Sequence, residues 1–161
     1  MRKALLIVST LILSVALSVN ASAADYEPSK EIEEAAEKYG EEYGTGKYIL
    51  LAIMRYESCY ISDVHSDNCK GLMQINEPYH TERMERLGVS DLYDIDSNVH
   101  VGADYIAELY QSYGDWGIVL GLYHGEKKAV SNGQKGIYSK YTLNILAYAA
   151  DLEGEETDGK D

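Results

Sequence analysis

Apolar residues recur every three or four positions along most of this chain, broken by one long polar stretch. That pattern predicts helices with a single irregular insert. Pro28-Ser29 opens a first helix that passes through Glu31, Glu33, Glu34 and Ala35–Ala36 to Tyr39 and is stopped by Gly40. A Gly44-Thr45-Gly46 link leads to a strong helix over 47–58, with Leu50, Ile53 and Met54 on one face. Residues 59–76 are rich in Cys, Ser, Asp, Asn and Gly and read as loop with room for short extended pieces. Thr81 to Leu87 is a short helix ended by Gly88. A long helix capped by Asp96 or Ser97 carries the stripe Val99, Gly102, Ala103, Ile106, Leu109, Tyr110 and Tyr113. Asp115 to Gly125 forms another, and a last one holds Tyr141, Ile145, Tyr148, Ala149 and Leu152. The expected fold is mainly α, in one domain over 24–152, followed by an acidic flexible tail over 153–161.

The first residues follow a different logic. Arg2 and Lys3 precede an apolar run from Ala4 to Val19, and Ala21-Ser22-Ala23 has the small-x-small pattern of a cleavage site. The run is short for a membrane span of about 20 residues. Residues 1–23 therefore read as a signal peptide, and the mature chain is expected outside the cytosol, with no stable membrane insertion. Secreted, periplasmic and wall-associated locations all fit, and a monomer is expected.

Export bears on the cysteines. Cys59 and Cys69 can oxidise in such a compartment, and a bridge closing so short a loop would contribute ~2–3 kcal/mol. A pair of buried free thiols is the alternative.

Charge narrows the partners. With 14 Lys+Arg against 27 Asp+Glu, the net charge of −13 leaves no basic face for nucleic acid. Most of the acid sits at the ends: residues 25–42 hold two basic and eight acidic groups, and 151–161 hold one and six. The four histidines, at 65, 80, 100 and 124, lack close helical ligand spacing, so neither metal nor cofactor is expected.

One residue breaks the apolar pattern. Continuing the stripe Leu50, Ile53, Met54 lands on Glu57, at the end of an apolar helix face where the polar insert begins. Partial burial there would favour the neutral carboxyl, as a general acid near neutral pH requires.

Glu57-Ser58, then Ser66, Gly71-Leu72-Met73-Gln74-Ile75, Leu120-Gly121-Leu122-Tyr123-His124-Gly125 and Tyr141 follow in an order that resembles the soluble lytic transglycosylase family. Leu87-Gly88, Asn98, Gly102 and Tyr105 also fall where that family has similar residues, so the resemblance spans roughly 32–148. It implies a lysozyme-like domain acting on peptidoglycan glycan strands. Glu57 would be the catalytic acid and base, with Ser58 helping to position it. Ser66 and Gln74 would contact the substrate, while Gly71 and Met73 shape the groove floor. Tyr123 would offer its hydroxyl to the catalytic carboxyl, and Tyr141 would line the cleft. Three features depart from the family: His124 replaces the usual Asn but can still hydrogen-bond the substrate, Ile137-Tyr138 replaces Glu-Thr, and the cysteine-bearing loop is shorter.

Ordinary glycosidases use two carboxylates. Asp63 and Asp67 are the only candidates near Glu57 in sequence. A lone glutamate suits the non-hydrolytic cleavage that the resemblance implies, which yields a 1,6-anhydro sugar. A hydrolytic muramidase and a non-catalytic glycan-binding protein on the same fold are the alternatives. A cysteine peptidase lacks a recognisable Cys-centred motif.

Overall fold

A computed structural model describes residues 26–158. The proposed leader, 1–23, lies outside the described residues.

The helices form where the periodicity places them, with ends set by local chemistry. Helix α1 spans Lys30–Glu42, and the Ser29 hydroxyl accepts the Ile32 N–H at its start. Gly40 does not stop it. A side chain there would meet Lys47 N at 2.7 Å and Gly46 C at 2.8 Å, so its bareness lets the next helix pack closely. That helix, α2, spans Lys47–Ser58. It ends in two consecutive left-handed residues, Cys59 (φ 51°) and Tyr60 (φ 63°), neither of them glycine. Their N–H groups cap the helix on Arg55 O and Met54 O.

The insert holds a small antiparallel sheet of β1 (His65–Ser66), β2 (Cys69–Lys70) and β3 (Ile75–Asn76), in that spatial order. Ser66 pairs with Cys69, and Cys69 with Asn76. Helix α3 spans Glu77–Leu87, longer than the sequence pattern suggests because Pro78 suits its first turn. The long α4, Ile95–Tyr113, is capped by Asp94, whose carboxylate accepts the Ser97 N–H at 2.9 Å. Asp96, one of the two expected caps, instead accepts from Tyr39 (2.6 Å) and Lys38 (2.8 Å), tying α4 to α1.

Helix α5 (Trp116–Tyr123) is capped by Asp115, as its pattern predicts. A short α6 (Ala129–Gly133) precedes α7, which runs from Lys140 to Asp158, beyond the expected domain end at Leu152. Lys47 binds α1 and α7 together through Glu37 (3.9 Å) and Glu156 (2.6 Å). The core gathers Leu50, Ile53 and Met54 of α2, Leu72 and Met73 of the insert, Ile106 of α4, Leu120 of α5 and Ile145 of α7, each fully buried. Burying such side chains supplies the main stabilisation, about 1.5–3 kcal/mol each before entropy. Within the described residues, no helix is long and apolar enough to cross a membrane.

Candidate active site

The end of α2 delivers Glu57 to the edge of the core, with buried Met54 one turn behind it and the insert ahead. The hydroxyl of Tyr141, in the first turn of α7, donates to Glu57 Oε1. Burial raises the Glu57 carboxyl above its ordinary range. The Tyr141 hydrogen bond and the charge of His124 pull it partly back. Burial and the neighbouring carboxylate in turn push the Tyr141 phenol far upward, so it stays a donor.

The imidazole of His124, just past α5, stacks on the Tyr141 ring with centroids 3.8 Å apart and planes 13° from parallel. His124 is solvent-exposed, so this pair forms one lip of the site.

Helix α4 holds the floor. Buried Asn98 accepts the Met73 N–H at 2.8 Å and donates to Lys70 O and Leu92 O at 2.9 and 2.7 Å. Gly71, at φ +73°, lies so close to Asn98 and Leu92 O that only glycine fits. Gly102 leaves the space that the Met73 thioether fills. The Gly71–Gln74 segment is thus pinned against α4 at three successive points.

Several sequence-based roles change. The Tyr123 hydroxyl donates to Met73 O at 2.6 Å, and it is Tyr141, not Tyr123, that binds the Glu57 carboxyl. Ser58 is buried and donates to Met54 O at 3.0 Å, a bond back into its own helix rather than to Glu57. The Gln74 amide donates to Gly71 O (2.9 Å) and Val64 O (3.2 Å), so it braces the insert as well as facing the cleft. Ser66 is exposed on β1. Cys59 and Cys69 are free thiols and not the expected bridge. Cys59 sits in the left-handed cap, its sulfur accepting from Arg55, while Cys69 lies in the central strand with Asn76 beside its thiol.

A cleft of about 620 Å³ opens beside these residues, lined by Cys69, Gln74, Tyr123 and His124 and, farther out, by Tyr79 and Tyr105. Tyr105 rests edge-on against His80 and tilts toward Tyr123, giving this wall a run of rings. Among the described residues, no group of three His, Cys, Asp or Glu is arranged to hold a metal.

The transglycosylase SLT domain model matches residues 34–146, which takes in every one of these residues. The chain belongs to that family. Its fold resembles that of the 70-kDa soluble lytic transglycosylase, solved in complex with bulgecin A, with a TM-score of 0.65 and 22% identity. The match covers 76% of this chain but 24% of the other, so the SLT domain here spans about a quarter of that protein's length. No curated protein matches.

Two contacts of this SLT domain have no signal in the helical periodicity, although Tyr138 departs from the family pattern and Asn98 fits it. The hydroxyl of Tyr138 donates to Asp115 Oδ2 at 3.0 Å, and its ring occupies the space left by Gly117, fastening the loop before α7 to the start of α5. The Asn98 anchor depends on a contact 25 residues away, which helical periodicity does not encode.

Proposed function

We propose that this chain is an exported peptidoglycan lytic transglycosylase. It cleaves the β-1,4 bond between N-acetylmuramic acid and N-acetylglucosamine and leaves a 1,6-anhydro end. The observation that carries this reading is the Glu57 carboxyl, raised by burial and held by the Tyr141 hydroxyl beside a cleft. Membership of the SLT family and a fold like that of a soluble lytic transglycosylase support it.

A carboxyl whose hold on its proton is strengthened by burial can protonate the glycosidic oxygen. The acetamido group of the substrate stabilises the positive charge that develops at C1. The resulting Glu57 carboxylate, which Tyr141 stabilises by donating to it, then takes the proton from the 6-hydroxyl as that oxygen closes on C1. One proton is given and one recovered, so Glu57 ends as it began and no water is consumed.

Asp63 and Asp67, the carboxylates that a hydrolytic mechanism would recruit, are both exposed on the insert. The nearby groups that act on Glu57 are Tyr141 and His124. Ser66, Gln74 and Tyr123 are assigned to the substrate-facing side of the cleft, with Met73 beneath it.

Mass spectrometry of muropeptides released from purified sacculi tests the reading. Anhydro-terminated products are expected. Products heavier by one water would make the enzyme a muramidase. Binding to sacculi without release would make it a glycan-binding protein.

A further inference from the structure

His124 occupies a position that the proposed reaction does not use. It is exposed, yet its ring is stacked at 3.8 Å on the side chain that, among the described residues, hydrogen-bonds the Glu57 carboxyl. An aromatic pair so close and so nearly parallel restricts both rings. Tyr141 can deliver its hydroxyl to Glu57 only if its ring keeps that orientation.

The charges around Glu57 are unequal in kind. Tyr141 faces it from α7, Tyr123 and His124 from α5 and its end, and Cys69 from β2, while Glu126 faces Tyr141. Of these groups only His124 can carry a positive charge. Histidine is also the side chain whose charge ordinarily changes between about pH 5 and 8.

We propose that His124 is a positioning residue of this site: its ring, stacked on Tyr141, holds the Tyr141 hydroxyl against Glu57, and its imidazole faces the same carboxyl. The proposal rests on the lytic reading for its consequence in turnover, but not for its electrostatics. The charge that the imidazole can carry favours the Glu57 carboxylate, against the effect of burial.

The test begins without substrate. Carbon-13 NMR of the Glu57 carboxyl, assigned by its loss in Glu57→Gln, reports the protonation midpoint directly. In His124→Asn that midpoint should rise at low ionic strength, and the difference should shrink in high salt because His124 is exposed. An unchanged midpoint overturns the electrostatic role.

The stacking role is read from turnover. His124→Phe, which keeps a ring on Tyr141 without the charge, should recover most of the several-fold loss in kcat expected of His124→Ala. Equal impairment in the two variants overturns it. If the released products are not anhydro sugars, the functional reading fails while the NMR result still decides the effect of His124 on Glu57.

Discussion

The carboxamide of Asn98 accepts the Met73 N–H at 2.8 Å from within α4, so a helix that bears no reacting group fixes the floor of the cleft. The same side chain satisfies two carbonyls, Lys70 O and Leu92 O, on either side of it. Asn98→Ala would leave a buried N–H and two carbonyls without partners. A loss of roughly 2–4 kcal/mol is expected in urea unfolding. Activity should fall further than stability accounts for, since Tyr123 binds the carbonyl of the same Met73.

Tyr141→Phe removes the donor to Glu57 while keeping the ring under His124. The lost bond favours the carboxylate, so its removal raises the Glu57 carboxyl further. The basic limb of the pH–rate profile should move to higher pH, and kcat/KM at its plateau should fall on the order of tenfold. A variant with the wild-type profile would remove Tyr141 from the mechanism.

Glu57→Gln should abolish lysis and also stabilise the protein at neutral pH. The folded carboxyl lies above its ordinary value, chiefly through burial. A group raised on folding contributes stability that is complete below its unfolded value and is lost as the pH climbs through the folded one. Wild type therefore carries a penalty near pH 7 that the neutral glutamine avoids. Thermal melts should show Glu57→Gln melting higher than wild type at pH 7, with the difference closing toward pH 4. A difference that grew in acid would reverse the assigned shift.

Gly40→Ala sets helix propensity against packing. Alanine is the better helix former by about 1 kcal/mol. Its Cβ would lie 2.7 Å from Lys47 N, which is backbone and cannot swing aside. The packing cost of roughly 1–3 kcal/mol wins, so the variant should unfold at lower denaturant. A stabilised variant would mean that α1 and α2 can shift apart freely.

The helices are legible in the sequence because each buries one stripe against a common core, and that periodicity survives whatever the partner. Glu57 can be placed at the end of α2 for the same reason. Positions where one helix answers to another are not legible in this way. Gly40 reads as a stop but is a point of contact, and Asp96 reads as a cap but reaches across to Tyr39 and Lys38. The exchange between Tyr123 and Tyr141 has the same origin. Both tyrosines lie at suitable sequence distances from Glu57, and only the angles at which α5 and α7 meet α2 decide which hydroxyl arrives. The thiols, too, are separated by a helix cap and a strand register that cysteine spacing does not reveal.

Helix α7 has unlike ends. Tyr141 in its first turn serves the cleft, while Glu153, Glu155 and Glu156 occupy its far end, next to the acidic α1 through Lys47. At 1.5 Å per residue the two regions are separated by roughly 20 Å, twice the distance over which charges are felt in physiological salt. The charge at the far end of α7 is therefore hardly felt at Tyr141. Removing the Glu156 carboxylate would thus loosen the Lys47 tie between α1 and α7 while leaving the electrostatics at Tyr141 nearly untouched.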